Sequence, residues 1–397
     1  MSQILSSSKT FPQKADVVII GGGVLGTSIA WNLAKRGCTN IVILERDLLG
    51  SGSTAKAAGG VRQQFSTKAN IRICIYSVDF FKHFNQRLGM EPDETGANFK
   101  QVGYLFLITR PEDMEVFKKN AALQQGLGVP VEVLTNEQVS KRWDFLMTED
   151  VIGATFCPTD GYASTTDVVF AYARQARKMG VKVWENTEVT AIKRRGRELL
   201  SLETNRGEIS AGIVVGCAGA WSGILGEMLD VEIPVEPVKR QAFFTEPFSE
   251  IPAQIPFVID MLNGFHFRRE GPGFLMGESD LTQKPGFDIT LDWNWLDTVA
   301  EHAMYRVPAL ERARILSGWA GLYDTSPDHN GIIGKVPELD NFYLATGFSG
   351  HGFMQSPAVG LSISELIIDG DIKTVEVAEL NIERFRTGNY NRERNVL

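Results

Sequence analysis

The first sustained apolar run, Val17–Val18–Ile19–Ile20, is wholly β-branched or branched aliphatic, the pattern of a strand buried on both faces of a parallel sheet. Gly21, Gly23 and Gly26 follow at G-x-G-x-x-G spacing, with Val24 and Leu25 inside the motif, and the period then changes. Ile29, Ala30, Leu33 and Ala34 recur at helical intervals. A second strand pattern, residues 40–45, ends in Glu45, 24 residues (45 − 21) after the first glycine. Strand, glycines and helix return in the same order at residues 212–223 and 341–367. Between these units, 102–109 predicts a strand followed by a helix, and 164–185 predicts a helix with Ser164 or Thr165 as N-cap and then a return strand. Residues 231–291 read as short strands separated by Pro and Gly, 265–270 and 274–278 among them, and no internal repeat or long low-complexity linker interrupts the chain.

The glycines have a physical reading. The first permits a tight turn, the second lets backbone approach a pyrophosphate, and the third lets helix pack closely on strand, so the helix N-terminus faces an anion. Glu45 stands close to the spacing of a carboxylate that bonds ribose hydroxyls. After it comes a small-residue loop with Ser51, Ser53 and Thr54, then Gly59, Gly60, Val61 and Arg62; such a loop follows a pyrophosphate and passes close to a planar ring. A dinucleotide unit assembled from the N-terminus, the middle and the C-terminus points to FAD, because NAD domains are usually contiguous.

Length and composition bound the rest. A chain of 397 residues predicts two intertwined or sequential domains. A net charge of −8 and a pI near 5.4 argue against nucleic acid as a partner, and the basic stretch 193–197 reads as a solvated turn. The four cysteines, Cys38, Cys74, Cys157 and Cys217, lie far apart with no metal-ligand spacing, so no metal is expected; they read as reduced thiols of a cytoplasmic protein. No secretion signal or transmembrane stretch is expected, and residues 1–14 and 386–397 read as tails.

Taken together, "GGGVLGTSIAWNLAKRG", "LERDLLGSGST", "AGGVRQQF", "GCAGAWS", "GWAGLYDTSPDHNGIIG" and "ATGFSGHGFMQSPAVG" resemble the D-amino-acid oxidase superfamily of FAD enzymes. The nearest branch holds sarcosine oxidase, glycine oxidase, dimethylglycine dehydrogenase and the L-proline dehydrogenase β subunit. The resemblance implies an α/β (α+β overall) architecture: a glutathione-reductase-like, Rossmann-type FAD-binding domain interleaved with an antiparallel-sheet substrate domain. The implied segments are 15–90, 160–225 and 325–385 for FAD, and 91–159 and 226–324 for substrate. It further implies FAD contacts from Arg46, from Val189 at the adenine, from Ala218, Gly219 and Trp221, and from the glycine loop Gly347, Phe348, Ser349, Gly350, His351, Gly352, Phe353 and Met354. That loop would face the flavin edge that becomes negative on reduction. Arg62 and His351, with His266 and Tyr323, are the implied active-site residues.

Departures from the relatives matter as much. Gly321 and Lys56 stand where some relatives attach FAD covalently through cysteine or histidine, so non-covalent FAD is expected. Tyr323, Met354 and Phe65 stand where relatives carry carboxylate-binding cations, leaving Arg62, Lys239, Arg240, Arg268 and Arg269 as available cations. Alternation in 265–268 puts His266 and Arg268 on one strand face and Phe265 and Phe267 on the other; with Tyr323, those phenylalanines are either pocket or core. Leu275 replaces the lysine that activates oxygen in monomeric sarcosine oxidases, favouring a dehydrogenase. The expected activity is oxidation of a secondary-amine, imino- or amino-acid C–N bond, with a partner subunit or another electron acceptor. A primary-amine glycine or D-amino-acid oxidase, a hydroxy-acid oxidase and a non-catalytic assembly factor are the alternatives.

Overall fold

The structure, a computed structural model, describes residues 10–396; the first nine residues of the expected N-terminal tail lie outside it. Two eight-stranded sheets dominate. In the first, Lys14–Ile20 lies between Gly207–Gly216 and Ile41–Leu44, parallel to both, with Val17 opposite Ile213 and Ile41. Lys182–Trp184 extends one side, while Phe342–Thr346 and Ile332–Lys335 extend the other. The apolar runs are continuous because helices cover this sheet. Val24–Lys35 packs against Gly352–Asp369 so closely that a Cβ on Gly360 would lie 2.1 Å from Ser28 Oγ, and Ser28 Oγ donates to the Ser356 carbonyl at 2.8 Å.

The second sheet runs in the order Ile315–Thr325, Glu236–Thr245, Gly273–Glu278, His266–Glu270, Phe257–Asp260, Tyr104–Ile108, Gly153–Cys157, Glu132–Thr135. Every neighbouring pair is antiparallel except Phe257–Asp260 with Tyr104–Ile108. Its outer face buries Phe265, Phe267, Phe243 and Phe274 beneath the helix Trp295–Arg306. Its inner face, carrying Tyr104, Phe257, Ala242 and Leu275, meets the loop at Ala58. Phe265 and Phe267 are therefore core and not pocket.

Two local readings, the cap at Ser164 and the basic turn, hold. Ser164 caps the helix Thr165–Lys178 by accepting from the Asp167 N–H at 3.3 Å. The stretch 193–197 turns at Gly196 (φ +62°) between Val189–Arg195 and Glu198–Thr204, with its basic side chains paired to Glu203, Glu208, Asp230, Glu198 and Asp340. All four cysteines are unpaired. Among the described residues no helix is long and apolar enough to cross a membrane, and no cluster of metal-ligating side chains occurs.

The ends differ from tails. Phe11 packs edge-on against Trp184 at 5.2 Å, and Lys14 already pairs with Ser210. At the other end, residues 386–392 are exposed, but Glu393 and Asn395 are 0% and 2% accessible. Polar composition made that segment look solvated; its carboxylate and amide are instead satisfied internally, which hydropathy alone does not reveal.

Candidate active site

The carboxyl ends of the strands Lys14–Ile20, Ile41–Leu44 and Gly207–Gly216 open into one elongated cavity of about 1460 Å³, its mouth included. Gly21, Gly23, Val24, Leu25, Glu45 and Arg46 form its first wall. Gly21 has φ +108°, and a Cβ there would sit 2.3 Å from the Cys217 carbonyl oxygen. Gly26 lies behind the wall, where a Cβ would come within 2.0 Å of the Gly21 oxygen. Neither position admits another residue without moving backbone. The helix that starts at Val24 has Gly23 as N-cap, with no capping bond from that residue; the Val24 N–H donates to Thr54 Oγ1 at 3.2 Å. Its first turn thus faces the cavity as an anion site. Glu45 accepts from the Gly22 N–H at 2.7 Å and the Asp47 N–H at 2.9 Å, fixing the carboxylate in the wall, where burial pushes its pKa up.

Ser53, Thr54, Thr187, Glu188, Val189, Ala218, Gly219 and Trp221 also line the cavity, with Ala218 beside Gly21. The Arg46 guanidinium lies 4.3 Å from the Trp221 ring centre, and Phe287 stacks on that ring at 5.7 Å. Tyr323, Gly350, Gly352 and Phe353 complete the lining. Ser51, Gly59, Gly60, Val61, Gly347, Phe348, Ser349 and Met354 are not in the wall; they hold it in place. Gly59 (φ +74°) has the Ala163 oxygen 2.4 Å from where a Cβ would be, and Val61 pairs with Gly161. Asp324 organises the glycine loop: its carboxylate accepts from the Phe348 N–H at 3.1 Å and its carbonyl from the Ser349 N–H at 3.0 Å. Burial pushes the Asp324 carboxyl up to about 6. The Tyr323 ring lies against Gly350, where a Cβ would be 2.4 Å from it.

On the inner face of the antiparallel sheet, alternation places His266 and Arg268 toward the cavity side, opposite the core phenylalanines. Most of the available cations there are already engaged. Arg268 donates to the carbonyls of Ala58 and Arg269 and pairs with Glu270; Arg269 donates to the carbonyls of Pro252, Phe248, Pro272 and Ile251; Lys239 pairs with Asp288. Arg240 is different. Its guanidinium carbon lies 5.2 Å from the Tyr323 ring centre, one nitrogen donates to the Lys239 carbonyl at 3.0 Å, and Nε is buried with no partner. Tyr104 stacks on Phe257 at 4.4 Å, and Phe257 on His266 at 6.1 Å, forming an aromatic floor. His266 Nδ1 lies 3.1 Å from the Gly264 carbonyl and so carries the proton, leaving Nε2 as acceptor. Burial, with Arg240 and Arg268 adding to it, drives the imidazole pKa down to about 4. Burial raises the Tyr323 phenol, against the fields of Arg240 and Arg62.

Arg62 and His351 form a buried pair, with Arg62 Nη2 3.3 Å from His351 Nε2 and the guanidinium 4.0 Å from the Phe65 ring centre. Burial, followed by the Arg62 charge, holds His351 neutral. Arg62 donates to the carbonyls of Gln64 and Asn395, and among the described residues no carboxylate lies within ion-pair distance of it. Of the expected active-site residues, Tyr323 lines the cavity itself, while Arg62, His351 and His266 lie outside its wall. Asp324, Thr187 and Tyr104 escaped sequence reasoning. Tyr104 sits in an uninterrupted apolar strand and gives no signal there; Asp324 stood within "LYDTSPD", where its pairing with the distant glycine loop is invisible.

Comparison with known proteins places these features. Residues 16–366 match the family described as FAD dependent oxidoreductase (DAO). The chain is 33% identical to FAD-dependent oxidoreductase domain-containing protein 1 of Xenopus laevis, over 97% of this chain and 85% of that one. It is 30% identical to the mitochondrial sarcosine dehydrogenase of Homo sapiens, over 91% of this chain but 40% of that protein. The structure resembles L-proline dehydrogenase from P. horikoshii with a TM-score of 0.89 and 36% identity, covering 96% and 100% of the two chains. FAD is the cofactor these relationships indicate, and the cavity fits it. Its wall offers glycine positions that a Cβ would fill, a helix N-terminus whose N-cap, Gly23, has no side chain to occupy it, and a fixed carboxylate, the features a pyrophosphate and a ribose require.

Proposed function

The chain belongs to the FAD dependent oxidoreductase (DAO) family, and we propose that it oxidises the C–N bond of a secondary amine that also bears a carboxylate, an imino acid or N-substituted amino acid of the proline or sarcosine kind. Arg240 carries this reading. A buried guanidinium N–H without a partner is rare in folded proteins, and a carboxylate is the partner that a guanidinium beside a phenol recognises best. The names of the relatives, a sarcosine dehydrogenase and an L-proline dehydrogenase, support an amine as the other half of the substrate.

Bound FAD supplies the acceptor for the hydride leaving the carbon next to nitrogen, so the product is an imine that water hydrolyses. The chain's residues bind and orient. Arg240 and the Tyr323 hydroxyl hold the carboxylate; Tyr323 stays protonated because burial raises its pKa. Neutral His266 offers Nε2 to the amine N–H and adds no charge that would repel it. The Tyr104–Phe257 stack packs against the aliphatic part of the substrate. FAD is held non-covalently: Gly321 and Lys56, at the two positions that carry covalent links in some relatives, face each other, with a Cβ on Gly321 only 2.7 Å from Lys56 Cβ. Neither offers a thiol or imidazole. The lysine position of oxygen-using relatives holds Leu275, fully buried against Ala242 and Phe244, which favours a dehydrogenase passing electrons to a partner protein or carrier.

The test is anaerobic mixing of the holoprotein with L-proline, sarcosine, N,N-dimethylglycine, glycine and D-amino acids while following the visible flavin band. Bleaching by a secondary amino acid, followed by slow return in air, is the expected result. Bleaching by glycine or D-amino acids alone, or rapid stoichiometric peroxide on admission of air, refutes the reading.

A further inference from the structure

The C-terminal segment 391–396 reaches back across the molecule and ends beside Arg62. Its anchor is Glu393, whose side chain is entirely buried. One carboxylate oxygen accepts from Ser66 N–H (2.8 Å) and Ser66 Oγ (2.6 Å); the other accepts from Thr67 N–H (3.2 Å), Thr67 Oγ1 (3.0 Å) and Asn70 Nδ2 (3.0 Å). Thr67 is the N-cap of the helix Lys68–Lys82 yet makes no capping bond with its own side chain. Glu393, distant in sequence, therefore binds the two residues that lead into that helix and the Asn70 side chain in its first turn, a favourable place for an anion. The same carboxylate folds the segment on itself, accepting from the N–H groups of Arg394 (3.1 Å) and Asn395 (3.0 Å).

The fold delivers Asn395. Its carbonyl accepts from Arg62 Nη2, its Nδ2 donates to the Gln64 carbonyl at 3.2 Å, and its Oδ1 accepts from Asn120 Nδ2 at 3.2 Å. Gln64 is also the residue whose carbonyl accepts from Arg62 Nη1. Two neutral carbonyls thus fix a guanidinium that has no carboxylate within ion-pair distance, the buried Asp160 acting on it only from farther off, and one of the two belongs to the C-terminal segment. Upstream, Asn391 accepts from Asn330 Nδ2 at 2.7 Å and Glu393 N–H donates to the Asp328 carbonyl at 2.9 Å, so the segment is sewn in along its length.

We propose that residues 391–396 are a built-in component of the active site: Asn395, locked by Glu393, positions the Arg62 guanidinium and with it His351, keeping a positive charge that is not ion-paired at a fixed place beside the flavin site. Neutral acceptors suit this task. A carboxylate in the place of the Asn395 carbonyl would orient Arg62 equally well but would cancel its field. Glu393 and Asn395 are positioning residues, and the inference rests on the reading of Arg62 as part of the active site.

The test compares holoprotein with a chain ending at Tyr390, with Glu393→Gln, and with both changes placed in an Arg62→Met background. Flavin content, visible spectrum and the flavin midpoint potential are read alongside turnover. The truncated protein is expected to keep stoichiometric FAD, shift the potential to a more negative value, and lose kcat/KM by roughly 10- to 100-fold, the scale of loss when a charged group drifts by about an ångström. Glu393→Gln should show the same shift, smaller. In the Arg62→Met background neither change should move the potential further, because the positioned group is gone. A synthetic peptide of residues 391–397 added in trans should restore the potential of the truncated protein, and the same peptide with glutamine for Glu393 should not. Unchanged potential and turnover on truncation overturn the proposal. So does a shift that persists undiminished in the Arg62→Met background, or parallel loss of FAD and thermal stability in both the truncated and Glu393→Gln proteins. If no amine reduces the flavin, the function proposed above falls, while the potential still decides this one.

Discussion

The two sheets present different materials to the cavity between them. The parallel sheet offers backbone: a carbonyl 2.3 Å from where a Cβ on Gly21 would be, another 2.0 Å from one on Gly26, and a row of helix N–H groups. The antiparallel sheet offers side chains: Tyr323 in the wall itself, with Arg240, His266 and the Tyr104–Phe257 stack behind it. A backbone site tolerates almost no substitution, since any Cβ displaces main chain that the sheet itself fixes. A side-chain face keeps its strand ladder whatever residue it carries, so recognition can change there while cofactor binding and fold stay put. The difference explains how one architecture accommodates relatives named for sarcosine and for proline.

That contrast can be broken by mutation, and the largest effect belongs to the backbone side. Gly26→Val is expected to yield protein without flavin, or none that is soluble, as measured by the visible absorbance of the purified chain per mole of protein. If it binds FAD normally, the close packing of helix on strand is not what holds the cofactor. Next comes Arg240→Ala, expected to raise KM for a carboxylate-bearing amine by about 100-fold, because a desolvated charge-assisted pair loses one partner, with flavin content unchanged. Loss of flavin instead would mean that the side-chain face also builds the cofactor site.

Tyr323→Phe removes one hydroxyl from the same face and should cost about 10-fold in kcat/KM, the scale of a single hydrogen bond to a charged group. Last is a pH effect on stability from Asp324. Its folded-state pKa, about 6, is raised above the ordinary aspartate value of 3.8, so the folded protein binds this proton more tightly than the unfolded chain does. The stabilisation is complete below about pH 3.8 and disappears as pH rises through about 6. Asp324→Asn keeps an acceptor for the Phe348 N–H but cannot titrate. The stability difference between wild type and this variant, from urea midpoints at several pH values, should decline by about 3 kcal/mol across that window. A flat difference would show that the glycine loop is not held by a buried carboxyl.

How much of this was legible in the sequence follows the same division. The glycines, Glu45 and the strand–helix alternation are local patterns, because a turn, its strand and its helix are contiguous in the chain. The substrate face is not local. Arg240 and Tyr323 come from adjacent strands 83 residues apart (323 − 240), and sequence shows Arg240 only as one of several cations. What singles it out is that its neighbours Arg268, Arg269 and Lys239 are already engaged, and engagement is a tertiary fact. The terminal segment misled for the same reason. A buried carboxylate with five donors from residues 66–70 has the composition of a solvated tail.

The order of strands in the parallel sheet also bears on how the protein is made. Lys14 pairs with Ser210, 196 residues later (210 − 14), and the sheet gains Phe342–Thr346 later again. Contacts of such separation form slowly, since long loops must close before they are rewarded. While the chain is still emerging, the apolar Lys14–Ile20 strand carries an unpaired edge, the kind of surface on which nascent chains aggregate. The lining residues Gly350, Gly352 and Phe353 emerge later still, so FAD can be enclosed only after they have been made. Ligand that binds only the closed form draws the chain toward it by mass action. Flavin supply during synthesis then becomes a determinant of the yield of native protein, and riboflavin-starved cells should accumulate this chain in aggregates well before its mature stability is affected.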